Sequence, residues 1–260
     1  MSEPEVRVEL SDSGRRGRVA WVTLDHVAKL NSLTTPLLDQ LAAVFRTLAS
    51  DAELRAAVLT GAGETSFIGG ANLDELAGLD VAGARAFITK VHLACAAVRA
   101  LPVPVIARVN GYCLGAGLEI AASCDLRLAS ANAVFAMPEV KVGLPSVVEA
   151  ALLPRLVGWG KAAEIVYLAR NYDAAQAREM GLVQAVVPAA ELDRAVAAWL
   201  DDLVAAGPRA IRAQKALLAQ WERMAPTDAI EAGIEPLARA YESDEPARLI
   251  GAFFARKRQA

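Results

Sequence analysis

The chain has 260 residues, 55% of them apolar and 22% charged, with a net charge of -3. A sizeable core is available, and neither broad disorder nor the basic footprint of a nucleic-acid binder fits this balance. Three cysteines without CxxC spacing and two histidines, His26 and His92, leave no material for a disulfide framework or a His-rich zinc site.

No uncharged apolar run reaches the roughly 18 residues that cross a bilayer. The first residues lack a basic-then-apolar leader pattern, so a reduced, cytoplasmic setting is expected. In chain order, Arg18 to Leu24 reads as a strand and Asp25 to Asn31 as a polar loop. Thr34, Thr35 and Pro36 open a helix to about Ser50, with an apolar stripe of Leu37, Leu41, Val44, Phe45 and Leu48. Ala56 to Thr60 is a buried strand that runs into a glycine-rich loop from Gly61 to Gly70. A short helix is expected from near Asn72, and a long one over Val81 to Ala100, broken by Pro102 and Pro104. Val105 to Val109 is a strand, Leu118 to Ser123 a helix and Leu126 to Ala129 a strand. After Pro145 the pattern is helical, except for a strand near Val183 to Val187. The alternation predicts an α/β core over residues 1–200 and a helical region over 201–260.

Two junctions run from strand through glycine into helix. One is Phe67-Ile68-Gly69-Gly70-Ala71-Asn72-Leu73, and the other spans Asn110 to Glu119 through Gly111, Gly115, Ala116 and Gly117. Small residues let a backbone approach a ligand closely, and the free N–H groups of a helix start then point at it. Tight helix–strand packing would use the same residues. Glu119 and Glu139 are both set in apolar sequence, where a carboxylate is paired or functional. Two such groups can share a water, or each can form a helix-cap ion pair. Gly158-Trp159-Gly160-Lys161 lacks the strand and spacing of a phosphate-binding loop. Ser66 stands where the third glycine of a dinucleotide fingerprint belongs.

Taken together, these segments resemble the enoyl-CoA hydratase/isomerase (crotonase) family over about residues 5 to 258. The most specific stretch is Pro104 to Glu119. Phe67 to Leu73 resembles the family's first oxyanion loop, Phe135 to Gly143 its second-glutamate segment, Lys29 to Leu33 its nucleotide-side loop, and Phe254 to Arg258 its C-terminal motif. The resemblance implies an α/β spiral of ββα units with a helical C-terminal trimerisation region, and a homotrimer or dimer of trimers. It implies an acyl-CoA thioester substrate, with coenzyme A part of that substrate and no separate cofactor, metal, nucleic acid or membrane partner. The N–H groups of Ala71 and Ala116 are then the oxyanion donors, and Glu119 and Glu139 the acid–base pair. Gly69, Gly70, Asn72, Leu73 and Gly115 shape the thioester site, while Lys29, Ser32, Phe254 and Lys257 fall where the family contacts coenzyme A. Both glutamates are present, which favours hydration of a 2-enoyl-CoA over isomerisation, decarboxylation, thioester hydrolysis or non-catalytic binding.

Three positions depart from the family pattern. Asn72 replaces an aspartate, and Ala116 replaces the middle glycine of the second loop. A Pro-Gly-x-Gly-Gly run after the second glutamate is replaced by Pro145-Ser146-Val147-Val148-Glu149-Ala150-Ala151. Glu149 has no family role and reads as an exposed helix residue. The basic end Arg256-Lys257-Arg258 reads as a solvated helix end unless a phosphate-rich ligand partners it.

Overall fold

The structure, a computed structural model, describes residues 3–12 and 17–258. Chain packing divides it into two compact units, Met1–Trp199 and Leu200–Ala260.

The first unit opens with strands β1 (Glu5–Asp12) and β2 (Arg18–Asp25), helix α1 (Thr35–Ala49) and strands β3 (Leu54–Gly61) and β4 (Ser66–Ile68). Helices α2 (Leu73–Leu76) and α3 (Val81–Ala100) follow, then β5 (Val105–Val109), β6 (Tyr112–Leu114), α4 (Ala116–Ser123), β7 (Leu126–Ser130) and β8 (Val134–Ala136). Next come α5 (Leu153–Val157), α6 (Trp159–Leu168), β9 (Tyr172–Asp173), α7 (Ala174–Glu179) and β10 (Ala185–Val187). Helix α8 (Leu192–Ala205) continues into the second unit, which holds α9 (Pro208–Trp221), α10 (Pro226–Glu231), α11 (Ile234–Ala240) and α12 (Glu245–Lys257).

The strands form a six-stranded sheet in the order β1-β2-β3-β5-β7-β10 and a four-stranded sheet in the order β4-β6-β8-β9. Each pass of the spiral lays one strand in the larger sheet, the next in the smaller sheet, and then a helix. The passes β3-β4-α2, β5-β6-α4 and β7-β8-α5 repeat this, with all neighbours in the two sheets parallel along β2-β3-β5-β7-β10 and β4-β6-β8. These are the ββα units expected from the sequence. Strand β3 is buried along its whole length, as an interior strand of a parallel sheet covered on both faces must be.

The sequence left four strands unread: β4, β6 and β8 of three residues each, and β9 of two. Strand β1, antiparallel to β2 from Glu5↔Asp25 to Asp12↔Arg18, was also unread. Helix α3 has the length and apolar composition of a membrane span, but Arg85, Lys90 and Arg99 fall within it. Its face of Phe87, Val91, Ala94, Cys95 and Val98 is buried in the core. The core joins that face to Leu37, Leu41 and Phe45 of α1 and to Ala20, Val22, Leu24 and Leu59 of the sheet. Each large side chain so buried contributes about 1.5–3 kcal/mol of transfer free energy.

Helix starts are fixed by specific acceptors. Thr34 makes no side-chain cap; instead the Glu75 carboxylate accepts from the Thr35 N–H at 3.0 Å and from the Thr35 hydroxyl, tying α2 to the start of α1. Asp80 caps α3 by accepting from the Gly83 N–H at 2.7 Å. The far end of α4 is held by Arg127 of β7, buried at 3% exposure. Its guanidinium donates to the carbonyls of Cys124 and Leu182, each at 2.7 Å, and of Ala121 at 3.4 Å.

Replacing Arg127 with Met would remove the guanidinium donor from the buried Cys124 and Leu182 carbonyls, while the Ala121 carbonyl keeps the Cys124 N–H. Arg127→Met is expected to destabilise the fold by about 2–4 kcal/mol. Urea unfolding followed by circular dichroism checks this, and an unchanged midpoint would show that Arg127 does not anchor α4.

Candidate active site

Two loops meet where β4 and β6 pair. In the first, Leu33 donates its N–H to the Gly70 carbonyl at 2.8 Å and accepts from the Asn72 N–H at 2.8 Å. This is one parallel bridge, and strand alternation turns the N–H of the intervening Ala71 to the opposite side. In the second loop, Gly115 (φ 51) caps the start of α4, where the first N–H groups of the helix have no intrahelical acceptor. Neither the Ala71 nor the Ala116 N–H has a hydrogen-bond partner among the described residues.

Glycine is required at this junction for two reasons. A Cβ on Gly117 would collide with the Ile68 carbonyl, so the second loop packs backbone against backbone on the first. A Cβ on Gly115 would meet the Glu139 carboxylate, and its positive φ already disfavours a side chain.

Ala71, Ala116, Glu119 and Glu139 line a single cavity of about 570 Å³. Its remaining wall is mostly apolar, with Leu76, Leu79, Phe87, Ile88, Leu144 and Val147 prominent. Glu119 sits in the first turn of α4 at 4% exposure, and its Oε1 accepts from the Ala150 N–H at 3.1 Å. Glu139 begins a 3₁₀ turn over Glu139–Val142, and its Oε2 accepts from the Ser146 hydroxyl at 2.9 Å.

Burial is the main reason that the Glu119 carboxyl is pushed up to about 8. The nearby Glu139 carboxylate adds to the shift, the Ala150 N–H opposes it, and Glu149 adds again. Burial also raises Glu139, against its own backbone N–H and the Ser146 hydroxyl, which favour the ionised form. The pair therefore retains a proton at neutral pH. Two backbone donors can stabilise an oxygen that gains negative charge, and a pair that holds one proton can pass it to and from water in the same space.

The flanking residues explain one departure in sequence. Asn72 accepts from the Glu75 N–H at 3.0 Å to cap α2 and donates from Nδ2 to the Ser32 hydroxyl at 3.2 Å. An aspartate could cap but not donate. Gly69 donates its N–H to the Leu30 carbonyl at 2.9 Å, so the 26–32 loop is docked on the first glycine loop. Leu30 and Asn31 both adopt positive φ there. Asn31 stabilises the turn by donating to the carbonyls of Ala62 and Ser66, at 2.9 and 2.8 Å.

Other expected contact residues are not in the cavity wall. Lys29 is exposed and pairs with Asp74 at 3.0 Å, and Leu73 is largely exposed. Phe254 and Lys257 belong to the second unit, exposed on α12. Glu149 corrects the sequence reading. It is 7% exposed within a 3₁₀ turn over Val148–Leu152, because that turn packs under α3 and α4 instead of extending as a solvated helix. Ser146 and the Ala150 N–H were also missed; a backbone donor has no signature in residue type. Among the described residues, no group of three or more His, Cys, Asp or Glu is placed to hold a metal.

The sequence and fold have counterparts among known proteins. The enoyl-CoA hydratase/isomerase family model matches residues 14–259. The chain belongs to that family. A short-chain-enoyl-CoA hydratase from Clostridium acetobutylicum is 38% identical over 202 residues, which is 77% of each chain. A mevalonyl-coenzyme A hydratase from Beauveria bassiana is 37% identical over 245 residues, 87% of this chain and 86% of that protein. The crystal structure of an enoyl-CoA hydratase from Bacillus anthracis superposes with a TM-score of 0.91 at 28% identity, covering 96% of both chains. The enoyl-CoA hydratase/isomerase fold is thus the fold of this chain, in the crotonase-like arrangement that the family resemblance implied.

The raised Glu119 carboxyl has a consequence for stability. In an open chain it would lose its proton near the ordinary 4.5, and in the folded chain near 8. Between these values the folded state binds more protons, so raising the pH costs stability through that window; the cost is absent below it and complete above it. Glu119→Gln removes the group. The wild type is expected to lose on the order of a few kcal/mol more than Glu119→Gln between about pH 4.5 and pH 8. Parallel pH dependence of the two urea midpoints would show that Glu119 is not held protonated.

Proposed function

We propose that the chain is an enoyl-CoA hydratase, adding water across the 2,3 double bond of a 2-enoyl-CoA thioester. The observation that carries this reading is the cavity shared by the Ala71 and Ala116 N–H groups with Glu119 and Glu139. Three of its features match the three needs of the reaction. An apolar wall suits an acyl chain, paired amides suit a thioester oxygen, and a proton-holding carboxyl pair suits water.

The thioester carbonyl accepts hydrogen bonds from Ala71 and Ala116. A water lies between Glu119 and Glu139. As its oxygen bonds to the β-carbon, the π electrons move toward the carbonyl, and negative charge grows on the oxygen facing the amides. Each fixed N–H there lowers the barrier by about 3 kcal/mol. The glutamate pair takes one proton from the water and delivers one to the α-carbon, ending in the protonation state in which it began. Gly69, Gly70 and Gly115 allow the backbone approach that this requires.

In the first unit Lys29 and Ser32 are assigned to the nucleotide end of coenzyme A, with Asn72 holding Ser32; Phe254 and Lys257 of the second unit are each assigned a coenzyme A contact on the family resemblance alone. Lys29 would exchange its exposed partner Asp74 for a phosphate. A chain of net charge -3 needs such local cations to bind a polyanion. We assign the working assembly to a homotrimer or dimer of trimers, in the cytoplasm. The exposed Ile230, Ile234, Leu237 and Tyr241 of the second unit support association.

Glu119→Gln and Glu139→Gln should each reduce hydration of a short 2-enoyl-CoA by at least about 100-fold, the scale of a lost acid or base. Loss of absorbance of the conjugated thioester reports the rate. Near-full activity of either folded variant would remove its assigned role.

Lys257→Ala should raise KM several-fold with little change in kcat, since a partly exposed phosphate contact is made equally in ground and transition states. With a substrate truncated to the pantetheine thioester the effect should vanish. Equal damage on both substrates would show that Lys257 does not read the nucleotide.

A further inference from the structure

One buried carboxylate is not used by the hydration chemistry. Glu149 is more than nine-tenths buried, and its Oε1 lies 2.8 Å from Nδ1 of His92 on α3. Its Oε2 is buried with no hydrogen-bond partner among the described residues. A carboxylate removed from water with one oxygen unmatched is costly, and such a group is retained where it serves something nearby.

What lies on either side of it in the chain is specific. Ala150, the next residue, donates the N–H that Glu119 accepts. Val148, the residue before, has φ +43, a left-handed conformation that a β-branched side chain strongly disfavours. A strained backbone of this kind persists only where its surroundings fix it. The Ala150 N–H closes this turn on the Val147 carbonyl at 2.9 Å, and Glu149 ties the turn to His92, whose ring is half exposed but whose helix is anchored by Phe87, Val91, Ala94 and Cys95 in the core.

We propose that Glu149 is a positioning residue for Glu119: its bond to His92 pins the strained turn at Val148 and so holds the Ala150 N–H on the Glu119 carboxyl. The proposal rests on the reading of Glu119 as catalytic. Glu149 has a second effect through its charge. The groups that face it are His92 and the Cys95 thiol from α3 and Glu119 from α4, and Glu119 in turn faces Glu139 from the turn over Glu139–Val142. Only His92 among these can carry positive charge, and it lies at the solvent side of the pair. Glu149 therefore adds to Glu139 in keeping the proton on Glu119.

Glu149→Gln keeps the size of the side chain, removes its charge and leaves only a weaker neutral bond to His92. In hydration of crotonyl-CoA its kcat should fall by at least about 10-fold with KM within about threefold. The alkaline limb of its kcat/KM profile should move to lower pH by at least about half a unit. A merely structural role would lower the yield of folded enzyme or raise KM and leave that limb in place. His92→Ala removes the tie at a half-exposed position and should lower kcat several-fold at constant KM.

An unmoved limb in Glu149→Gln, or a wild-type kcat in His92→Ala, overturns the proposal. If Glu149→Gln does not fold, His92→Ala decides alone. Glu119→Gln separates the two readings. If it stays active, the catalytic reading fails. If it is inactive while Glu149→Gln and His92→Ala behave as wild type, only this inference fails.

Discussion

The active-site geometry depends on one close approach, that of Gly117 to the Ile68 carbonyl. With any side chain at 117 the second loop would be pushed away from the first. Strands β4 and β6 could then not hold their parallel register. That register is what brings the Ala71 and Ala116 N–H groups to one cavity, because each lies just beyond a strand of the same small sheet. The placement of these two N–H groups is therefore a consequence of sheet pairing, not of any side chain. Ala116 can stand where the family carries glycine for the same reason: it contributes its N–H, and its Cβ need only avoid the neighbouring backbone.

The same packing sets the electrostatics. Helix α4 is buried along its whole length, so Glu119 in its first turn has no route to bulk water except through the cavity. The helix start places partial positive charge near the carboxylate, which alone would favour ionisation. Desolvation and the second carboxylate outweigh it, and the proton stays. A group held this way lowers stability above its ordinary pKa, and that loss is the counterpart of having an acid–base pair ready near neutral pH.

How much of this was legible in the sequence follows from what each feature is made of. Helix α3 and strand β5 were read at their observed bounds, since long apolar periodicity and flanking prolines leave little choice. Glu119 and Glu139 stood out because carboxylates are rare in apolar sequence. The small sheet was invisible: three-residue strands inside glycine-rich loops carry no alternation, and their pairing is set by backbone approach. Glu149 was misread because alanines around a glutamate imply a solvated helix. The chain instead forms a strained 3₁₀ turn there, and only the pairing with His92 on a distant helix shows why the residue is inside.

The segment from Leu144 to Ala150 joins two functions that are usually discussed apart. Leu144, Pro145 and Val147 form part of the cavity wall, while Ser146 holds Glu139 and the Ala150 N–H holds Glu119. Wall residues and carboxylate partners alternate within seven positions of one strained stretch, so they cannot move independently. Any displacement of Val147 must shift Ser146 and the turn at Val148, and with them the hydrogen bonds to the two carboxylates. A glycine-rich run in this place would supply backbone alone. Here the Ser146 hydroxyl works beside the Ala150 backbone N–H, and the cavity wall and the hydrogen bonds to the two carboxylates become properties of the same seven residues.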